Sequence, residues 1–481
     1  MSDSLTPERH HPPKTLRWHH GFVLALPIVS GLFISMGYTV GAIGAWPAIA
    51  IGAGLAIVAL LQNHLFAEMA GMFPEKSGGV PLYATEAWKR YFAPIGPLAT
   101  YGYWCGWALV LSLVGLTVGA LVQAQWFPEA TWVLFSTGWV DIGLPHLIAA
   151  VTVVACTVIN VLGINIAVRF NQVIGAVYVV VLALLAIGPF LTGGWDVGQL
   201  SSRLDGWQSA MVWLFVSAWA IYGTELCASF APEYRDTVGD TSKALRSVAL
   251  FMVFAYGLVP LATTGQLGEV TVTENPITYG VVSVQEMLGG ASGLVTAVLC
   301  GALFLSMISS SADAGRALYG IAEEDMTIKQ FGRLNERGMP GVALWVTMAV
   351  NLLILVFVGN PVAILIASNI GYILAITLAV IGFLLLRRDR PQWPRPIKLG
   401  PAWTGIAVVI AVFNGAILVI GATNPGLSYA GGFTEVLIGL VLLLSGVLLF
   451  VYRRVVQDRG PLKLREETPA MPTTQSETSR V

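Results

Sequence analysis

The chain has 481 residues, of which 56% are hydrophobic and only 11% are charged, and its formal net charge is −1. Soluble domains carry about 25% charged residues, so this composition excludes an ordinary soluble protein. A net charge so close to zero gives no reason to expect a nucleic-acid partner.

Apolar runs of about 20 residues, the length that crosses the hydrocarbon core of a bilayer, recur along nearly the whole chain. We predict twelve membrane spans, at 21–45, 46–70, 96–123, 145–165, 170–192, 209–231, 245–266, 292–315, 340–359, 361–386, 402–423 and 432–452. These spans predict an all-α polytopic membrane protein embedded in the lipid bilayer. Polar tails at 1–20 and 456–481 flank the bundle, and the composition of the C-terminal tail predicts disorder.

The positively charged residues are divided unequally between the two sides of these spans. All of the 26 Lys and Arg residues except Arg203 fall on the side that holds both termini. The positive-inside rule makes this side cytoplasmic. We therefore predict a multi-pass protein of the cell membrane with both termini in the cytoplasm.

Two spans contain residues that interrupt a helix. The first has Ser30-Gly31 within Ile28–Phe33, and the sixth has Tyr222-Gly223-Thr224-Glu225. Interrupted spans at corresponding positions of two halves are typical of secondary transporters with an inverted repeat. We predict an inverted repeat of five plus five spans within 21–390, with broken helices 1 and 6, followed by two accessory spans in 402–455.

Glu225 is a carboxylate in the middle of the sixth span, and Trp219 precedes it by six residues. A charge at this depth costs about 2.5–3.5 kcal/mol on insertion scales, so such residues usually face a water-filled path or a partner. An ionised Glu and a Trp face both attract an ammonium group. We predict that both bind a cationic substrate and that Glu225 also acts in coupling or gating. The alternative is that Glu225 bonds backbone amides at the break while Trp219 fills space.

The other candidate substrate-binding residues are less distinctive. Tyr222 and Gly223 border Glu225 at the break, where Gly223 is expected to let the helix unwind. The free N–H groups at Ser30 and Gly31 would form a seat for an anionic group. Trp104 and Trp107 on the third span, which follow Tyr101 and Tyr103, are candidate walls of the site, although aromatic residues on spans more often pack or anchor at the interface.

Further polar residues are expected to be structural. Asp313 and Arg316, three residues apart near the end of span eight, are predicted to pair with each other. The hydroxyls of Ser309–Ser311 are predicted to bond back to their own helix; the alternative is that they supply oxygens to a Na⁺ ion. A short interfacial helix is expected over Ala84–Tyr91, with Lys89 and Arg90 directed toward the headgroups.

Four stretches together resemble the amino acid–polyamine–organocation transporter superfamily. They are Ser30-Gly31-Leu32-Phe33, Phe66-Ala67-Glu68 through Pro74 to Gly78-Gly79, Tyr222-Gly223-Thr224-Glu225, and Ala317-Leu318-Tyr319-Gly320. A Trp six residues before a Glu, with a Gly two residues before that Glu, further resembles the basic amino acid and polyamine exchangers. In those relatives the Trp stacks on the cationic end of the substrate and the Glu lies near the site and its gate, which implies these roles for Trp219 and Glu225. The family's usual Gly-Ser-Gly has Val29 at its first Gly, a departure that favours a substrate that is all amine.

The predicted function is secondary transport of amino acids or related amines, preferably a cationic amine, a polyamine or a basic amino acid. The alternative is a permease that takes up neutral amino acids with protons; a channel and a nutrient receptor are the other classes to exclude. The chain has no HExxH, GxSxG or GxxxxGK[ST] motif, so no enzyme, catalytic residue, cofactor or metal is predicted. Some proton-coupled relatives carry a Lys in span five, where this chain has Tyr178, so neither a lysine-type proton switch nor Na⁺ dependence is expected.

Overall fold

The computed structural model describes residues 14–138, 140–358, 361–428 and 432–467; at 164–173, 291–292 and 361 it describes the backbone alone. The two ends of the predicted tails, 1–13 and 468–481, lie outside the described residues.

Helices dominate the structure, and each predicted span corresponds to one helix or to two or three consecutive helical segments. The first half contains α1 (Trp18–Ala25), α2 (Leu32–Ile43), α3 (Ala45–Met72), α4 (Gly79–Phe92), α5 (Ile95–Ala108), α6 (Val110–Trp126), α7 (Leu144–Leu162) and α8 (Ile164–Leu191). The second half contains α9 (Gly206–Tyr222), α10 (Thr237–Glu274), α11 (Tyr279–Leu288), α12 (Ser292–Glu323), α13 (Gly341–Phe357), α14 (Pro361–Asp389), α15 (Ala402–Thr423) and α16 (Phe433–Tyr452).

The lengths of these helices fit a membrane. Among the described residues, eleven helical segments are long and apolar enough to cross a bilayer, and α13 is a shorter apolar helix of 17 residues. The prediction of an all-α polytopic membrane protein is confirmed. Span seven differs most from its prediction, because α10 continues well beyond 245–266 and bends at Gly268, whose φ is +78°.

Short elements complete the fold. The strands β1 (Val133–Ser136) and β2 (Asp141–Gly143) form an antiparallel pair between α6 and α7, which the sequence analysis did not predict. Further short turns are the 3₁₀ segments Val197–Gln199, Gly289–Ala291, Lys329–Gly332 and Pro425–Ser428, and the π turn Arg453–Gln457.

The first and sixth spans are interrupted at the predicted places. The first break is a 3₁₀ segment at Leu26–Gly31 between α1 and α2, and the second break is a 3₁₀ segment at Gly223–Glu233 after α9. The backbone is therefore tightened rather than unwound, which differs from the expectation. A 3₁₀ stretch rarely exceeds 3–4 residues, and one in mid-helix often marks a hinge.

The order of the short helices fits the predicted inverted repeat. A helix that does not cross the bundle follows the second span of each set of five: α4 comes between α3 and α5, and α11 comes between α10 and α12. The last two helices pack on the outside of this arrangement, with α15 against α9 and α14, and α16 against α5 and α14. Their accessory role stays a prediction.

On the side that holds both termini, most of α4 is buried, and of the two cations at its end only Arg90 is exposed. Lys89 is only 6% exposed and pairs with Glu86 at 2.7 Å, so the expectation that it faces the headgroups is wrong. Burial alone would raise the pKa of Glu86, but Lys89 and Lys76 outweigh it and lower the pKa to about 2. Glu86 thus organises the contacts of α4 with its neighbours.

The described part of the C-terminal tail lies against α4. The backbone N–H of Ala93 donates to the carbonyl of Leu464 at 2.8 Å, and that of Glu466 donates to Lys89 at 2.8 Å. Arg454 also pairs with Glu466. The prediction of disorder is therefore wrong for these residues of the tail, because α4 offers backbone partners that the composition of the tail does not reveal.

Candidate functional site

The two breaks pack against each other, and glycine makes this possible by its size. A Cβ atom on Gly31 would lie 3.2 Å from Cβ of Ala220, and one on Gly223 would lie 2.7 Å from Ile28 and 2.8 Å from Trp107. The φ of Gly223 is −53°, an ordinary helical value. Gly223 is thus needed for close packing of the two broken spans, and not for unwinding as the sequence analysis assumed.

Glu225 lies at this crossing and is almost completely buried, with 1% of its surface exposed. The hydroxyl of Tyr372, on α14, donates to Glu225 Oε1 at 2.6 Å. The other carboxylate oxygen, Oε2, has no hydrogen-bond partner within the described part of the chain. A buried carboxylate oxygen without a partner is costly, so this atom is where a donor from a ligand would be favourable.

Trp219 belongs to an aromatic cluster next to this carboxylate. Its ring centroid lies 6.3 Å from that of Trp107 at an interplanar angle of 64°, and Trp107 lies 5.9 Å from Tyr372. The indole N–H groups of Trp219 and Trp107 both lack partners among the described residues. The structure therefore brings Trp219, Gly223 and Glu225 together with Trp107, one of the two candidate walls, and adds Tyr372.

Asp313 is a second buried carboxylate in the same region, and the prediction that it pairs with Arg316 is wrong. The hydroxyl of Tyr103 donates to Asp313 Oδ2 at 2.8 Å. Arg316 instead pairs with Glu233 at 2.6 Å and lies over the ring of Phe230. The second break carries Glu233 back to α12, and this contact between distant segments replaces the local i, i+3 pair.

The other predicted site residues make different contacts. Trp104 donates to Thr347 of α13 at 3.0 Å, and Tyr222 donates to Asn414 of α15 at 2.9 Å, so both are engaged by neighbouring helices. Ser30 donates to the carbonyl of Pro27 at 2.6 Å within its own 3₁₀ turn. In this conformation a carboxylate seat at the first break would depend on backbone N–H groups and not on the Ser30 hydroxyl.

Comparison with known proteins identifies the family. A family model described as amino acid permease matches residues 20–446, which is most of the chain. The chain belongs to the amino acid permease family. The family confirms the resemblance to the amino acid–polyamine–organocation superfamily, and a permease is a transporter, not an enzyme.

Individual relatives of the permease are distant but cover most of its length. It is 27% identical over 448 residues to the lysine-specific permease LysP of Lactococcus lactis subsp. cremoris, covering 83% of this chain and 82% of the relative. It is 28% identical over 357 residues to the amino-acid permease RocE of Bacillus subtilis, covering 70% and 72%. The histidine permease HisP of Lactococcus lactis is 25% identical over 357 residues, covering 69% and 71%.

Two serine hydroxyls of α12 do not make the hydrogen bonds that the sequence analysis predicts. Ser309 and Ser311 are completely buried, and neither hydroxyl has a hydrogen-bond partner among the described residues. The prediction that they bond back to their own helix is therefore wrong for these two. The hydroxyl of Tyr178 on α8 is likewise buried without a partner in the described structure.

The sequence contained a signal for one of the residues that were missed. Asp313 lies inside predicted span eight, so the argument from intramembrane charge that identified Glu225 applies to it equally. Tyr372 had no such signal, because it is 147 positions from Glu225 and only the packing of α14 against the second break brings them together.

Proposed function

We propose that this permease is a secondary transporter of the cell membrane that moves amino acids or related amines, with a cationic substrate preferred. The observation that carries this proposal is the unpartnered oxygen of buried Glu225 beside the Trp219–Trp107 cluster. An ammonium group would donate a charge-assisted hydrogen bond to this oxygen. A cation over a desolvated Trp face gains about 2 kcal/mol more.

A basic amino acid also needs a place for its α-carboxylate. The first break lies against α9 through Gly31 and Ala220, close to the second break. We propose that the substrate carboxylate replaces the 3₁₀ carbonyls as the acceptor for the backbone N–H groups of Ser30 and Gly31, while Glu225 binds the ammonium. A charge-assisted hydrogen bond is stronger than the poorly aligned bonds of a 3₁₀ turn. The relatives named as lysine and histidine permeases support a basic amino acid. A polyamine, which has no carboxylate, would bind only at Glu225 and the aromatic cluster beside it.

A thermal-shift screen with lysine, arginine, histidine, γ-aminobutyrate, putrescine and leucine tests the substrate class. A ligand at about 100 times its Kd stabilises the state it binds by about 2.7 kcal/mol. We expect the cationic compounds to stabilise the purified permease and leucine to leave it unchanged. Stabilisation by leucine alone would favour the alternative, a neutral amino acid taken up with protons. Counterflow of the stabilising compound in proteoliposomes then separates a carrier from a channel or a receptor.

Trp219 is expected to contribute through its aromatic face. Trp219→Leu should weaken lysine affinity about 30-fold, the equivalent of about 2 kcal/mol, whereas Trp219→Phe should be milder because it keeps an aromatic face. Competition for labelled lysine measures both. Trp403→Leu is the matched control, because Trp403 is a partly exposed residue of α15 that stacks on His64 and not on the Trp219–Trp107 pair. Equal losses for the Phe and Leu variants would reduce Trp219 to a space-filling residue.

We propose that both termini are cytoplasmic, on the positive-inside argument. Single cysteines at Ser202 and Lys398, both exposed and on opposite sides of the bundle, test this orientation. Cys300 is first replaced by Ala, because the other three native cysteines are buried. We expect an impermeant maleimide applied to intact cells to label the Ser202→Cys variant and not the Lys398→Cys variant. The opposite pattern would invert the topology.

Uptake is expected to be independent of Na⁺. Transporters that bind Na⁺ between broken helices use carbonyls of unwound backbone, whereas both breaks here are 3₁₀ segments whose carbonyls accept hydrogen bonds. Replacing Na⁺ by choline in proteoliposomes should leave lysine uptake unchanged. Collapse of uptake in choline would assign the unpartnered hydroxyls of Ser309 and Ser311 to a Na⁺ site.

A further inference from the structure

Asp313 has the same kind of environment as Glu225, yet the proposed function does not use it. It is fully buried, and one of its oxygens accepts a hydrogen bond from a tyrosine, Tyr103, at 2.8 Å. Its other oxygen, Oδ1, has no hydrogen-bond partner among the described residues. Tyr103 also interacts with Glu225, and its ring lies 5.8 Å from that of Tyr372, so the two carboxylates face one connected pair of tyrosines.

Two ionised carboxylates are not sustainable here without a counter-charge. The cation of the same helix, Arg316, is already paired with Glu233. The titratable and charged groups that face Asp313 are Tyr103 on α5, Glu225, Cys227 and Glu233 on the second break, Tyr372 on α14 and Arg316 on α12. When two carboxylates share a dry site, one of them takes up a proton.

The surroundings of the two carboxylates suit them to different ligands. Tyr372, which donates to Glu225, is in ring contact with Trp107, and the Trp107–Trp219 pair offers aromatic faces to a cation. Asp313 instead interacts with Ser229, whose buried hydroxyl oxygen has no hydrogen-bond partner in the described structure. The Ser229 hydroxyl can accept a hydrogen bond from a protonated Oδ1 as well as donate one to an ionised Oδ1, so this pocket accommodates the neutral acid. The aromatic faces beside Glu225 favour a cation there, and with it an ionised carboxylate.

We propose that Asp313 is a proton-binding site, and that it must carry a proton for the substrate-loaded transporter to close. The proton comes from water onto Oδ1 and returns to water when the site opens, without any covalent change in the substrate. With Asp313 neutral and Glu225 ionised, the closed site holds one negative charge, which one ammonium group balances. This inference rests on the proposed function, because it assumes a cationic substrate on Glu225.

The proposal predicts a bell-shaped dependence of exchange on pH. Lysine counterflow, measured with equal pH on both sides from about pH 5 to about pH 9, should fall at the acid end as Glu225 is neutralised and at the alkaline end as Asp313 loses its proton. Asp313→Asn keeps the shape and places an N–H₂ donor where the acid O–H would be. Lysine exchange by Asp313→Asn should no longer fall at alkaline pH. Its rate should therefore exceed that of the parent about tenfold at the alkaline end of the range.

Tyr103→Phe provides a second variant, with Tyr101→Phe as its control. Tyr101 is on the same helix, but its hydroxyl pairs with Thr327 and not with Asp313. Because the Tyr103 hydroxyl favours the charged carboxylate, its removal should move the alkaline limb to higher pH, while Tyr101→Phe leaves it in place. An unchanged alkaline limb in Asp313→Asn overturns the proposal. If that variant is inactive, Tyr103→Phe decides: a shifted limb supports the proposal and an unshifted limb overturns it.

Infrared spectroscopy keeps this test separate from the substrate proposal. The parent protein at neutral pH should show the C=O stretch of a protonated carboxylic acid, and Asp313→Asn should lose that band. Absence of the band, or its persistence in the variant, overturns proton binding at Asp313. A parent protein that shows the band but exchanges no lysine at any pH would contradict the proposed substrate and leave the proton site standing.

Discussion

Glu225→Gln should abolish transport of a cationic substrate without preventing insertion of the protein into the membrane. The carboxamide keeps the shape of Glu225 and can still accept the hydrogen bond from Tyr372, which is 2.6 Å long in the parent. The substitution removes the negative charge that would attract an ammonium group to the unpartnered Oε2 atom. Leaving a buried cation unpaired costs several kcal/mol, so the KM for lysine should rise by about two orders of magnitude or more.

The measurement is initial uptake of labelled lysine by proteoliposomes, normalised to inserted protein. Glu286→Gln is the matched control, because the same substitution there removes an exposed charge whose hydrogen bond is to Gln266. The control should transport like the parent. Uptake by Glu225→Gln within about twofold of the parent, a difference below 1 kcal/mol, would remove Glu225 from the role of charge partner.

Glu86→Gln should destabilise the permease more than other single substitutions on the side of the termini. The carboxylate of Glu86 is fully buried and forms ion pairs with Lys76 at 2.6 Å, Lys89 at 2.7 Å and Arg390 at 3.0 Å. The substitution leaves the nearly buried Lys89 and Arg390 without that charge. Breaking a buried pair by removing one partner typically costs about 3–5 kcal/mol, which should appear as a lower melting temperature.

The effect should depend on pH in a defined direction. The ordinary pKa of Glu86 is 4.5 and its pKa in the folded protein is about 2. The ionised carboxylate therefore stabilises the fold fully above about pH 4.5, and this contribution is lost as the pH falls through about 2. The difference in melting temperature between the parent and Glu86→Gln should shrink across this window.

Glu75→Gln provides the control for Glu86→Gln. Glu75 pairs with Lys14 at 3.2 Å, but both side chains are about half exposed or more. An exposed ion pair is worth about 0–1 kcal/mol, so this variant should melt close to the parent. Equal melting temperatures for the two variants would mean that water reaches the ion pairs of Glu86.

The sequence alone determined the membrane architecture, because hydropathy is a local property that each span carries within itself. The placement of the twelve spans and of both breaks followed from composition and from Ser30-Gly31 and Tyr222–Glu225. The depth of Glu225 in its span also followed, since a carboxylate in an apolar run is visible without any neighbour.

Only the tertiary structure decided which side chains meet at the centre. Lipid tails are as apolar as the apolar faces of these helices, so hydrophobicity does not select the neighbour of such a face; close packing of small residues and interhelical hydrogen bonds do. Gly223 against Ile28 and Trp107 fixes the crossing of the two breaks, and this crossing puts Trp107 rather than Trp104 beside Trp219. The same packing places Tyr372 of α14 within hydrogen-bond distance of Glu225. It also pairs Arg316 with Glu233, so that Asp313 accepts a hydrogen bond from Tyr103 instead of pairing with Arg316. Contacts between segments so far apart in the chain leave no periodic signal in the sequence.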